Sequence, residues 1–196
     1  MGTEAPGVQA SVNGPTDDDL MLRAQQGDAD ALGALFERYQ GPLYGFFARL
    51  TGRPATSEDL VQETFLRVMR SKHTYRSTGR FKSWLYQVAR SAHSDHYRKR
   101  WRERPLDDED ESIPSPGPGL GDQMETDERQ ELVRAALRRL PAEKREVLVM
   151  ARYQELRYQE IGEILGCPEN TVKVRVHRAM KALREAYLEM TKDRVS

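Results

Sequence analysis

The densest group of residues able to do chemistry lies in YQEIGEILGCPENTVKVRVHRAMKALRE, residues 158–185. Ile161, Ile164 and Leu165 share one face of a short helical stretch, a Gly-containing turn follows, and Val172, Val176, Ala179, Leu183 and Tyr187 mark one stripe of a longer helix. A helix, a turn and a basic amphipathic helix in that order is helix-turn-helix spacing, which sets the second helix in a DNA groove. With the stripe turned inward, Asn170, Thr171, Val174, Arg175 and Arg178 face outward. Arg175 and Arg178 suit guanine edges or phosphates, and Val174 suits a thymine methyl. Lys173, His177, Lys181 and Arg184 sit to the flanks and suit the phosphate backbone. The plainer alternative is a basic helix exposed on an ordinary bundle. Gly162 keeps a small volume where the two helices cross, and Cys167, in the turn, reads as a small buried hydrophobe.

A second basic run, FKSWLYQVARSAHSDHYRKRWRER, spans residues 81–104. Phe81, Trp84, Leu85, Val88 and Ala92 form a stripe that is core packing in the first instance. Beyond Ala92, His96, Arg98, Lys99, Arg100 and Arg102 project outward at a density that suits phosphates, and basic with aromatic groups also suits a single strand. The preceding loop, SKHTYRSTGR, brings Tyr75, Arg76 and Thr78, which can hold an unstacked base or simply make a polar connection. Upstream, Ser57 is placed to cap a helix through EDLVQETFLRVMR. Leu60, Val61, Thr64, Phe65 and Val68 fall inward, which leaves Asp59, Gln62, Glu63 and Leu66 outward. An outward leucine amid polar groups is either a docking surface or one exposed apolar residue of an ordinary kind.

The elements that must position these residues are helices, because helical periodicity runs almost everywhere and strand signals are nearly absent. The expected fold is all-α: two small helical domains joined by a flexible acidic Pro/Gly-rich linker, the second domain with the helix-turn-helix. Helices are expected at 17–26, 28–50, 57–73, 79–103, 127–139, 141–154, 158–165 and 169–190, with Pro141 at a first helical position. The segment DDEDESIPSPGPGLGD combines like charges with Pro and Gly, which neither form a helix nor bury a core. The expected layout is a disordered leader at 1–16, a first domain at 17–104, a linker at 105–126 and a second domain at 127–196. The 31 basic and 31 acidic residues cancel in sum but segregate along the chain, two basic patches flanking the acidic connector. No apolar run approaches the roughly 20 residues that span a bilayer, and the first residues lack the basic start and apolar centre of a secretory signal, so a cytoplasmic protein is expected. One cysteine, no His/Cys cluster, no phosphate loop and no paired acidic site argue against an enzyme, a cofactor, a metal or a small-molecule substrate.

The run DLVQETFLRV, the F-x-x-W-L helix and the C-terminal helix-turn-helix together resemble the small two-domain sigma factors of bacterial RNA polymerase called extracytoplasmic-function (ECF) sigma factors. The resemblance covers about residues 17–189. It implies an alternative sigma factor that binds core RNA polymerase and directs promoter-specific initiation. Asp59, Gln62, Glu63, Leu66 and Arg67 would make the polymerase contact. Tyr75, Arg76, Thr78, Arg80, Lys82, His96, Arg98, Lys99 and Arg100 would serve the minus 10 element, trapping an extruded base and helping the duplex to melt. Asn170, Thr171, Lys173, Val174, Arg175, His177, Arg178 and Lys181 would read the minus 35 element. It also implies an anti-sigma factor as partner. Relatives often carry Asn at the position of Ser91, Gly at Glu155, Ala at Gly162 and Ser at Val174, so base preference does not carry over. The alternative function is a stand-alone helix-turn-helix regulator, which would show a ligand pocket and a dimerisation helix.

Overall fold

The computed structural model describes residues 14–103 and 124–193. The described residues form eight α-helices and a short 3-10 turn, with no strand. In order these are α1 (Asp17–Gln25), α2 (Ala29–Thr51), α3 (Pro54–Ser71), the 3-10 turn Lys72–Thr74, α4 (Phe81–Glu103), α5 (Met124–Arg139), α6 (Ala142–Tyr153), α7 (Tyr158–Leu165) and α8 (Glu169–Asp193). The all-α expectation therefore holds. Residues 1–13 of the expected leader and nearly all of the expected linker lie outside the described residues.

Local chemistry sets the boundaries. Thr16, at the end of the expected leader, caps α1: its Oγ1 accepts from the Asp19 amide at 3.2 Å, and the Asp19 carboxylate accepts from the Thr16 amide at 3.1 Å. Asp28 caps α2 by accepting the Ala31 amide at 3.0 Å, and Gly52 ends that helix at φ 67°, where a side chain would be strained. The start of α3 corrects the sequence reading. Ser57 is not its cap but lies a turn inside, fully buried, its Oγ donating to the Arg53 carbonyl at 2.7 Å. Pro54 takes the first position because its fixed φ fits a helix and its missing amide hydrogen is no loss there. Pro141, expected at a first helical position, is instead the N-cap of α6, one residue before the helix begins.

Helices α1 to α4 pack around Leu20, Met21, Leu35, Phe46, Phe47, Leu60, Val68 and Leu85. Helices α5 to α8 pack around Leu137, Leu148, Met150, Ile161, Val172 and Ala179, with α8 contacting each of the other three. The two groups also meet, α6 lying on α2 and α7 on α4. Tyr86, bonded to Gln154 across that contact, and Ala89 are both buried, and the expected α4 stripe included neither. Arg145 of α6 ties the junction together. Its guanidinium donates to the carbonyls of Leu137, Arg138 and Leu140 at the end of α5, at 3.1, 2.5 and 3.1 Å, and to Leu50 near the end of α2 at 2.7 Å. A helix C-terminus leaves its last carbonyls without partners, so one cation serves two helix ends.

Candidate nucleic-acid interface

The α7–α8 corner is closed by backbone geometry. Gly166 takes φ 64°, the Cys167 amide donates to the Gly162 carbonyl at 2.9 Å, and the amides of Thr171 and Val172 donate to Pro168 at 2.9 and 3.2 Å. A Cβ on Gly162 would stand 2.6 Å from the Cys167 carbonyl oxygen, so the close crossing does require glycine. Val172, Val176 and Ala179 are buried, and Leu183 and Tyr187 are half-buried. Asn170, Lys173, Val174, Arg175, His177, Arg178 and Lys181 are exposed along α8, and Thr171 is half-buried. Val174 is 48 % exposed, an apolar side chain held out among cations. Lys173 is paired with Glu169 at 2.8 Å, and Lys181 lies 3.9 Å from Glu185. Arg175 and Arg178 have no carboxylate partner among the described residues, so their charge faces solvent uncompensated.

The loop between α3 and α4 is organised from α1. Asp18 accepts from the Tyr75 hydroxyl, from Ser77 Oγ at 3.2 Å and from the Gly79 amide at 3.0 Å. Gln25 donates to the carbonyls of Lys72 and Tyr75 at 2.7 and 2.8 Å. Tyr75 is buried, its ring against Phe81 and Trp84 with centroids 5.7 and 5.2 Å apart. In this arrangement it supports the loop from below, while Arg76 and Thr78 are exposed above it. Asp18 and Gln25 hold the loop through contacts 47 to 61 residues apart, which periodicity does not reveal. Between α3 and α4 runs a groove of about 400 Å³ lined by Arg67, Arg70, Trp84, Gln87, Val88 and Ser91. Farther along α4, Arg98, Lys99, Arg100 and Arg102 are exposed and His96 is half-buried. Asp95 binds both Arg98, at 2.5 Å, and Arg67, at 2.6 Å. Those two cations hold the Asp95 carboxyl below the usual carboxylate range, the Arg67 hydrogen bond being the largest cause.

On α3, Asp59, Gln62 and Leu66 are exposed and Glu63 and Arg67 are half-buried. Leu66 and Met69, three residues apart, are 44 % and 50 % exposed. Arg67 spends its donors within the fold, on Glu63 at 2.7 Å, Asp95 and Ser91, and so fixes α3 against α4. Phe36 and Tyr44 of α2 stand partly exposed beside this face, at the rim of a groove that also holds Gln40, Glu58 and Gln62. Their spacing of eight residues fits one face of a helix; the sequence reading expected the helix, at 28–50, but assigned none of its residues to a surface.

The N-terminal part of α4 is engaged by the second group of helices. Arg80 pairs with Glu163, Lys82 Nζ donates to the Gln154 carbonyl at 2.7 Å, and Gln87 donates to the Glu163 carbonyl at 3.0 Å. Arg90 pairs with Glu146 at 3.0 Å, and Tyr86 donates to Gln154 Oε1 at 2.5 Å in the buried contact.

An all-helical chain with a helix-turn-helix whose outer face is basic, and a second basic helix beside an aromatic-backed loop, defines a DNA-binding protein. Comparison with known proteins gives the class its name. The family model for sigma-70 region 2 matches residues 35–103, and that for sigma-70, region 4, matches residues 130–183. The ECF RNA polymerase sigma-E factor of Haemophilus influenzae is 30 % identical over 177 residues, 86 % of this chain and 93 % of its own length. The RNA polymerase sigma factor CarQ of Myxococcus xanthus is 33 % identical over 172 residues, 87 % of this chain and 97 % of its own length. Among solved structures, the sigma factor RpoE in complex with the anti-sigma factor NepR from Bartonella quintana superposes with a TM-score of 0.63 at 25 % identity, over 79 % of this chain and 94 % of that one. This chain belongs to the ECF sigma factors of bacterial RNA polymerase, and it acts as an alternative sigma factor in promoter-specific transcription initiation. That family consists of transcription initiation factors. No described helix is long and apolar enough to cross a membrane.

Proposed function

We propose that the two helical groups divide the work of initiation, residues 17–104 docking on core polymerase and engaging the minus 10 element, residues 127–196 reading the minus 35 element. The observation that carries this reading is the outward face of α8, where Val174, Arg175 and Arg178 are exposed and, among the described residues, no acidic residue pairs with either arginine. Arg175 and Arg178 contact base edges or phosphates of duplex DNA, and Val174 gives a thymine methyl an apolar partner. Lys173, His177 and Lys181 position the backbone, with Asn170 and Thr171 at the start of the helix.

The exposed face of α3, with Asp59, Gln62, Glu63 and Leu66, docks on polymerase, and Phe36 and Tyr44 extend the apolar part of that surface. Arg67 serves docking by holding α3 in place on α4. Arg76, Thr78, Arg80 and Lys82 act on the melted strand near the start site, while His96, Arg98, Lys99 and Arg100 hold phosphates beyond it. Tyr75 acts through the loop it supports. The chain works where polymerase and chromosome are, in the cytoplasm, and an anti-sigma factor is its expected partner, as NepR is in the complex of the Bartonella protein.

Paired variants test the division. Leu66→Lys should lower affinity for core polymerase at least about tenfold, since a cation replaces the apolar centre of the contact. Arg175→Ala with Arg178→Ala should leave polymerase binding unchanged and abolish initiation that needs the minus 35 element. Loss of polymerase binding in the α8 variant, or none in the α3 variant, overturns the assignment.

A further inference from the structure

Three consecutive acids open α1, and in the sequence they read alike, as favourable charge at a helix N-terminus. In the fold each has a different partner. Asp19 closes the cap with Thr16, and Asp17 accepts from Arg38 and Tyr39, which fastens α1 to α2. Asp18 serves the loop ahead of α4. One of its oxygens accepts from the Tyr75 hydroxyl, from Ser77 Oγ and from the Gly79 amide, a role that suits a carboxylate because it has no proton to give. Burial, and then the Asp18 hydrogen bond, push the Tyr75 hydroxyl further above its ordinary range, so it stays a donor. At the far end of α1, Gln25 donates to the carbonyls of Lys72 and Tyr75, and Lys72 Nζ donates to the Ala24 carbonyl at 2.7 Å. The anchors at Asp18 and Gln25 are about 10 Å apart on a helix that rises about 1.5 Å per residue. The loop itself has little else to hold it. Residues 73–80 are exposed except for Tyr75, and Gly79 takes φ 71°. An exposed loop loses backbone freedom when it grips a ligand, and this weakens binding unless the loop is ordered beforehand.

We propose that Asp18 is a positioning residue for base selection: with Gln25 it splints residues 72–79 from behind and holds Arg76 and Thr78 in the one arrangement that accepts the preferred base of the minus 10 element. Asp18 touches no DNA itself. The attraction of basic side chains for phosphates needs no fixed loop and survives without the splint. The advantage of the preferred base falls with the fraction of loops correctly held. The proposal rests on the assignment of that loop to the minus 10 element, and the experiment separates the two.

Holoenzyme is assembled from core polymerase and the full chain, and transcribes a chain-dependent promoter in which the elements near minus 10 and minus 35 are randomised one at a time, each template carrying a transcribed barcode. The readout is the preference ratio, the output of the best base over the mean of the other three at each position. Asp18→Ala should lower that ratio about three- to tenfold at the most selective minus 10 position and leave the minus 35 ratios unchanged. Tyr75→Phe, which removes one donor and keeps the ring, should lower it in the same direction. Asp18→Asn keeps an acceptor oxygen in place and should lose less than Asp18→Ala; an equal loss overturns the hydrogen-bond account. Asp28→Ala uncaps α2 without touching the loop, and should keep both ratios whatever it does to total output. Unchanged ratios in Asp18→Ala overturn the proposal, as does an equal fall at both elements, or the same selective fall in Asp28→Ala, since each of these marks a merely structural residue. Arg76→Ala with Thr78→Ala should also flatten the minus 10 preference. If that pair flattens it and Asp18→Ala does not, only the positioning role falls; if the pair leaves it intact, the assignment of the loop falls as well.

Discussion

His93 is a titratable group enclosed by the contact between helices. Its ring stacks on Phe47 with centroids 6.4 Å apart, Nε2 has no hydrogen-bond partner, and burial, helped by the charges of His96, Arg145 and Arg90, pushes it down to about 4. A base whose folded pKa is depressed takes up its proton more readily when unfolded, so stability rises with pH between the two values. His93 therefore costs nothing above about pH 6.5 and destabilises progressively as pH falls toward 4, by about 2 kcal/mol at pH 5. Asp28 and Asp95, held low by their hydrogen bonds, lose stability only as pH falls through the carboxylate range. Glu146, pushed up by burial against the pull of Arg90, contributes with the opposite sign just above that range. Both effects are shared by a His93→Phe chain, so urea unfolding of the two chains at pH 7 and pH 5 isolates the histidine. The parent should lose about 2 kcal/mol more than the variant; equal losses would mean that His93 reaches water. The sequence showed a histidine one residue past the apolar stripe of α4. It did not show that a second group of helices closes over that position.

At the scale of elements, the helix-turn-helix was legible because its spacing is local. Ile161, Ile164, Val172, Val176 and Ala179 are buried as the 3.6-residue repeat requires, and α7 spans the expected residues. The first turn of α3 was misread because Ser57 offered a plausible cap, whereas proline at a helix start is decided by backbone geometry. Tyr75, read with Arg76 and Thr78 as able to hold an unstacked base, is buried in this structure, its hydroxyl bonded to Asp18, 57 residues earlier. No local pattern records such a contact. Two backbone positions carry predictions. Gly162→Ala gains about 1 kcal/mol of helix propensity but drives a Cβ into the Cys167 carbonyl. The clash should win, with net destabilisation of about 1–2 kcal/mol and weaker duplex binding. Denaturation together with a duplex titration checks both. Glu155 adopts φ 51°, a left-handed conformation that costs a non-glycine residue about 1 kcal/mol. Glu155→Gly should stabilise the chain by about half to one kcal/mol in thermal unfolding, a gain that would be absent if the conformation were relaxed.

For the whole molecule, the two groups of helices share one buried core as the structure stands, yet the faces proposed to act are assigned to different partners. The sequence displayed both basic runs and the outward face of α3, but not that the first basic run meets Glu163, Gln154 and Glu146 of the second group. Contacts between residues 56 to 83 positions apart leave no periodic trace. The central claim is that one chain joins polymerase to promoter DNA through separate surfaces. It is tested most directly by transcription of fragmented genomic DNA with purified core polymerase, with and without this chain, and by mapping the 5′ ends. The account predicts discrete start sites that need the chain, with shared elements about ten and about thirty-five bases upstream, and with the upstream element no longer selected by the Arg175→Ala, Arg178→Ala variant. Tight binding to duplex DNA with no chain-dependent start sites would contradict it, and would mark the protein as a regulator that reads DNA alone.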